Sequence, residues 1–393
     1  VAVGAARKVA VSIPGGFVRK GLDAEQTPPP EGPDKETDAA VLRNRPWRPL
    51  SEVKPERERR IYYATNRRVI GSGASVANFT ADLSPTVTYG SCIVNIPVEH
   101  HTKGTLEEPG WWQRKNPEEH FLVQSIRVLR KEGFLRDVCR EDTFMFVHGF
   151  RSTFERTLLR TAQLHYDVGF PGKGVAFCWP SAGDVLKYEL DSQRANQSVA
   201  ALTEVLRGLA RTRAAVKGER RPRIHLLAHS MGSRVLLSAF REVYHEGIAK
   251  PGEKVFGQVV LAAPDVDSKG FGDLLSYATA LSERVTYYYC REDLALQASQ
   301  KVNNFAPVGL LAFFHPGLDT INADRVGTSF FNHNYYASSK AVLRDAQLLF
   351  RWGLKPDDRM PPLKSRCEVL GHPHWAFAVM EVKQVEGDKA GTP

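Results

Sequence analysis

The chain has 393 residues, of which 42% are hydrophobic and 25% charged, with a formal net charge of +9. This length suits one large domain or two modest ones around a sizeable core, and the composition excludes a disordered or fibrous chain. The longest apolar runs, around residues 255–264 and 306–314, fall short of the roughly 20 residues that a membrane-spanning helix needs.

The basic residues are dispersed. Small clusters at 54–60 and 211–223 read as solvated surface and helix ends, so no nucleic-acid partner is expected. The five cysteines, Cys92, Cys139, Cys178, Cys290 and Cys367, are odd in number and show neither a CxxC pair nor metal-ligand spacing, which argues against a disulfide framework. Cys178 and Cys290 fall in strand-like apolar runs, where a buried free thiol is expected. The sequence opens on Val1 and reads as a processed or truncated form of a soluble protein. Export after removal of a signal peptide is one route to such a start, and the compartment is left open.

Residues 1–55 carry TPPPEGP (27–33), many charges and no sustained periodicity, and are expected to form a tail or surface wrap. IYYATN (61–66) and SCIVNI (91–96) read as strands of an antiparallel edge. Beyond Phe121 a regular alternation begins. Short apolar runs, TFMFV (143–147), GVAFC (174–178), IHLLA (224–228), QVVLA (258–262) and VTYYY (285–289), are separated by amphipathic segments at 153–167, 192–214, 232–245 and 270–281. Strands alternating with helices imply βαβ units, hence a mostly parallel sheet with helices on both faces. Ser152 and Glu155 fit a capping box for the first of these helices. The main domain is expected to span 56–355, with 356–393 as a C-terminal extension.

The strongest chemical signal is Ala228-His229-Ser230-Met231-Gly232, between IHLLA and SRVLLSAFREVY. A serine on a sharp strand-to-helix turn, with small residues two positions either side, is a G-x-S-x-G nucleophile elbow in which Ala228 replaces the first glycine. Such a serine needs an oxyanion hole, made by the N–H of its successor and one from a loop after an earlier strand. His148-Gly149-Phe150 follows TFMFV, so Met231 and Phe150 are the expected donors. The expected order is then Ser, acid, His. Asp293 follows VTYYYCRE, and His333 follows the last expected strand, DTINA (319–323). Asp265, after QVVLAAP, is the alternative acid. His229 and His148 are expected to pack within their turns, His315, His372 and His374 to lie in surface loops, and His100-His101 to be an isolated pair on a polar loop. No phosphate-cradling glycine loop, HExxH motif or Cys/His metal cluster occurs. The apolar run VGLLAFF (308–314) is expected either to pack against the C-terminal helix or to wall an acyl pocket.

The set IYYATNR, YGSCIVNIP, FVHGFRSTFE, RTAQLHYDVGF, FCWPSAG, LLAHSMGSR, LAAPDVD, REDLALQAS and NHNYY resembles the bacterial α/β-hydrolases of largely uncharacterised function in the esterase/lipase superfamily, from about residue 61 to 352. The resemblance implies an α/β-hydrolase fold with an N-terminal strand extension, neither metal nor organic cofactor, and a triad of Ser230, Asp293 and His333. The function expected is a serine hydrolase that cleaves carboxylic esters through an acyl-enzyme on Ser230, acting on a small-molecule or lipid-like acyl substrate. A thioesterase, amidase or peptidase of the same fold is the alternative within enzymes, and a non-catalytic interaction module the alternative outside them.

Overall fold

The structure is a computed structural model and describes residues 57–377 apart from 218–220, 251, 325, 327–331, 361 and 370. The expected N-terminal tail, 1–55, and the last part of the C-terminal extension lie outside the described residues. In chain order the strands are β1 (Glu58–Val69), β2 (Phe79–Asn95), β3 (Leu122–Leu129), β4 (Thr143–Val147), β5 (Lys173–Cys178), β6 (Ile224–His229), β7 (Phe256–Ala262), β8 (Ser282–Tyr289), β9 (Leu318–Asn322), β10 (Leu363–Val369) and β11 (His372–Phe377). The α-helices are α1 (Lys131–Val138), α2 (Phe154–Asp167), α3 (Tyr188–Gln197), α4 (Val199–Ala214), α5 (Met231–His245), α6 (Ser268–Leu281), α7 (Leu294–Asn303), α8 (Tyr335–Ser338) and α9 (Lys340–Trp352).

Among the described residues all the strands join one 11-stranded sheet in the order β10-β11-β9-β8-β7-β6-β4-β5-β1-β2-β3. Pairing is parallel from β1 through β5, β4, β6, β7, β8 and β9 to β11, and antiparallel at the two ends, β1–β2–β3 and β10–β11. The strands β4, β6 and β7 are buried at every position, as parallel strands covered on both faces must be. Alternate side chains point to opposite faces. Met145, Val147, Leu226, Ala228, Val259 and Leu261 meet helices α1, α4, α5 and α6, while Phe144, Phe146, Leu227 and Val260 meet α8 and α9. Helix α2 covers Ile61, Tyr63, Ala176 and Cys178 on this second face. Cys92, Cys139, Cys178 and Cys290 are buried free thiols, and Cys367 is an exposed one.

Some local expectations are revised. The segment 192–214, expected as one helix, is broken between α3 and α4 at Ser198. The Ser198 hydroxyl donates to the Arg194 carbonyl (2.7 Å) and accepts from Asn66 Nδ2 (3.0 Å), the kind of side-chain competition that interrupts helices. The cap of α2 is Thr153, whose hydroxyl accepts from Arg156 N–H; the Ser152 hydroxyl is engaged with Thr157 instead. Strand β3 went unread because, as an edge strand, it is only partly buried along its length.

The segment expected as a C-terminal extension supplies β10 and β11, which continue the sheet beyond β9. An ion cluster pins the chain on its way there. Arg359, fully buried, donates to Asp345 on α9 (2.8 Å) and to Asp319 on β9 (3.1 Å), and Tyr288 also bonds to Asp345. Burial raises the Asp345 pKa, while the Arg359 charge beside it works the other way. Removing one partner of a buried pair strands the other charge in a poor solvent, at about 3–5 kcal/mol. Arg359→Met is therefore expected to lower stability by about that amount, read as a lower urea midpoint, and adding Asp345→Asn should return part of the loss.

Candidate active site

Strand β6 ends at His229 and α5 begins at Met231, so Ser230 alone makes the turn, at φ 53° and ψ −123°. A side chain held there stores about 1–3 kcal/mol of strain. The turn works because its surroundings are small. A Cβ on Gly232 would strike the carbonyl oxygens of Val147 and His148, so the first turn of α5 runs directly along the end of β4. A Cβ on Gly149 would lie 2.9 Å from Ser230 Cβ and 2.9 Å from His229 Nδ1. The loop after β4 thus lies flush on the Ser230 turn.

That loop is tied from several sides. Buried Arg67, at the end of β1, donates to the carbonyls of Ser152 (2.8 Å) and Ser181 (3.1 Å), joining the loops after β4 and β5. Buried Asp191 on α3 accepts from Arg151 N–H, Ala182 N–H and the Ser181 hydroxyl. Trp179 Nε1 donates to the His148 carbonyl (2.7 Å), and its ring stacks on the His148 imidazole at 4.7 Å. Burial, together with nearby Arg67, pushes the His148 pKa down to about 3, so this histidine is neutral and structural. His148 was expected to pack within its turn; the other positioning residues went unmarked, and their only trace was the presence of Arg67 and Trp179 inside IYYATNR and FCWPSAG.

His333 and Asp293 are brought together. His333 Nδ1 lies 2.8 Å from Asp293 Oδ2. The other oxygen, Oδ1, accepts the N–H groups of Ala295 (3.0 Å) and Leu296 (3.1 Å) and so caps α7. Asp293 is fully buried. With Nδ1–H donated to the carboxylate, Nε2 carries the lone pair. Burial disfavours the imidazolium, but the Asp293 charge and hydrogen bond outweigh it and raise the His333 pKa above the ordinary histidine value. The His333 ring reaches the elbow through His229, with ring centroids 4.5 Å apart, and His229 Nε2 donates to the His333 carbonyl (2.9 Å). Burial, with His333 close by, drives the His229 pKa well down, so it is neutral and Nε2 carries the proton. Among the described residues the Ser230 hydroxyl makes no hydrogen bond.

Asp265, the alternative acid, is placed elsewhere. Its carboxylate accepts from Ser299 Oγ (2.7 Å) and the Tyr188 hydroxyl and faces Arg234 (3.6 Å). It makes no hydrogen bond to His333 among the described residues. The Tyr188 ring packs on Phe150 at 5.2 Å, so this network walls the site on the α3 side. In the run 308–314, Val308 is fully buried and Phe313 packs edge-on against Phe271 at 4.8 Å, whereas Leu311 is exposed. Among the described residues no group of His, Cys, Asp and Glu is arranged to hold a metal ion, and no helix is long and apolar enough to cross a membrane.

The family model described as an alpha/beta hydrolase of unknown function (DUF900) matches residues 131–351. Solved structures with some likeness include a YdeN-like hydrolase from Pectobacterium atrosepticum, 14% identical over 54% of this chain and 96% of that one, with a TM-score of 0.25. A ferulic acid esterase from Streptomyces cinnamoneus is 13% identical over 79% of this chain and 82% of its own, with a TM-score of 0.29. Likeness at these levels has no bearing on the chemistry of this chain. Comparison with curated proteins gives no match. A family match that covers more than half the chain, on a parallel sheet with a serine turn at the end of its central strand, establishes that the protein belongs to this alpha/beta hydrolase family of unknown function.

Proposed function

We propose that the protein is a serine hydrolase that cleaves carboxylic esters through an acyl-enzyme on Ser230. The observation that carries the proposal is the buried Asp293 carboxylate, which caps α7 with one oxygen and bonds with the other to a His333 imidazole whose ring lies 4.5 Å from that of His229, the residue before Ser230. In this scheme His333 Nε2 takes the Ser230 proton as Oγ attacks the acyl carbonyl. Asp293 holds the reactive tautomer and stabilises the imidazolium. The N–H groups of Met231 and Phe150 receive the developing oxyanion, where loss of one donor costs roughly 10²–10³ in kcat. Protonated His333 then hands its proton to the departing alkoxide, and water resolves the acyl-enzyme with the same base. An ester is a less demanding substrate for this machinery than an amide because its alkoxide leaves more readily than an amine. The half-buried Phe150 and Tyr188 rings offer an apolar wall for the acyl part.

The direct test is turnover of p-nitrophenyl esters of graded chain length. Ser230→Ala is expected to keep the fold by circular dichroism, to lose at least about 10³-fold in kcat, and to escape labelling by a fluorophosphonate probe. Retained turnover or labelling in a clean preparation overturns the proposal.

The two candidate acids separate by kinetics. Asp293→Asn should cost about 10⁴ in kcat, because the imidazole loses its orienting acceptor. Asp265→Asn should cost far less, because its partners are Tyr188, Ser299 and Arg234. If Asp265→Asn is the more crippled of the two folded variants, the acid is misassigned.

Catalysis requires neutral His333, whose pKa is raised. The acid limb of kcat/KM is therefore expected above the ordinary histidine value, with activity falling as pH drops through it. Removing the Asp293 charge should move that limb to lower pH in whatever activity remains.

A further inference from the structure

His101, expected in an isolated pair on a polar loop, has its side chain buried, with 4% of it exposed. Its Nδ1 lies 2.9 Å from Glu107 Oε2 and its Nε2 lies 2.7 Å from Asp167 Oδ1. A neutral imidazole has one N–H and would turn a lone pair on the other carboxylate, whereas an imidazolium satisfies both. Phe121 and Tyr166 close edge-on around the ring, at 5.2 and 5.4 Å.

The other oxygen of Asp167 accepts Gly104 N–H (2.9 Å) and Gln163 Nε2, and Gln163 Nε2 also donates to the Ala337 carbonyl (3.1 Å). A Cβ on Gly104 would collide with the Ser338 carbonyl oxygen, so the loop backbone rests directly on α8. That helix begins two residues after His333. Its Tyr336 stacks on His229 at 4.2 Å, and His229 holds the His333 carbonyl.

We propose that Glu107, His101 and Asp167 form a charged clasp that grips α8 and thereby positions His333, making His101 a positioning residue for hydrolysis. This rests on the assignment of His333 as the base. The clasp operates while His101 is protonated. Burial opposes that charge, but the hydrogen bond and charge of Asp167, then those of Glu107, outweigh it and raise the His101 pKa. The other charged and titratable groups nearby are Lys103 on the same loop, which faces Asp167; Arg344 on α9, which faces Lys103; Tyr166 on α2; and Arg59 on β1, which lies over the Tyr166 ring. A group whose folded pKa is raised contributes its stability in full below its unfolded pKa and loses it as pH rises through the folded value. The clasp should therefore open on the alkaline side, opposite to the acid limb set by His333.

The test uses full-length protein with isotope-labelled histidine, the His101 and His333 imidazole resonances being assigned from His101→Gln and His333→Gln. His101 is expected to titrate above the ordinary histidine value, and the His333 resonance should respond to that titration. The alkaline limb of kcat for an ester should coincide with it, at nearly constant KM. Asp167→Asn should lower the His101 pKa by about one unit or more and carry the alkaline limb down with it, leaving the acid limb in place. Should Asp167→Asn not fold, Glu107→Gln removes the other, partly exposed, carboxylate and is expected to act in the same direction. An alkaline limb that stays put while His101 moves overturns the proposal, as does a His101 that titrates normally. If the wild-type protein hydrolyses no ester, the hydrolase assignment fails instead. The clasp is then decided by the His333 resonance alone, and no response to His101 overturns it.

Discussion

The Ser230 turn is strained, and it is neighbouring backbone rather than the turn itself that keeps it so. Its N–H donates to the Ala262 carbonyl at the end of β7 (2.9 Å), and its carbonyl accepts from Asp265 N–H (3.2 Å) in the next loop. A peptide gripped on both sides by β7 and its loop cannot relax toward an ordinary conformation without breaking these bonds at the carboxyl ends of the central strands. The buried parallel strands provide that rigidity, and the close approach of Gly149 and Gly232 leaves no room for a different path. Everything else at the site is arranged relative to this fixed point.

Buried carboxylates divide the work by how their oxygens are occupied. Asp191 spends both on the loops after β4 and β5. Asp265 spends both on Ser299, Tyr188 and Arg234, joining α3 to α7. Asp293 spends one on the start of α7 and keeps the other for His333. Chemically identical side chains thus become two structural ties and one partner for a histidine, and the identity of the groups within reach makes the difference.

The histidines follow the same logic. His148 and His229 are buried against neutral partners and remain uncharged. His333 faces one carboxylate and His101 faces two, and both gain proton affinity despite burial. The direction in which the proton affinity of each of these rings moves follows from whether a carboxylate faces it.

The alternation of apolar runs with amphipathic segments fixed the βαβ plan from sequence alone, because side-chain periodicity is a local property that burial on two faces must respect. The sharp turn at Ser230 was legible for the same reason, since a tight strand-to-helix turn demands small residues at set positions. Asp265 and Asp293 stood in equivalent places, each after a strand, and only packing decided which carboxylate meets His333. Arg67, Asp191 and the pairing of His101 with Asp167 join residues far apart in the chain, and no periodicity records such partners. Strands β10 and β11 were unreadable because their role depends on the exposed edge of β9 and on Arg359 reaching Asp345 and Asp319. Local pattern determined the central elements and the turn at Ser230; the tertiary structure alone brought Asp293 rather than Asp265 to His333 and built the ties around them, because long-range contacts leave no imprint on neighbouring residues.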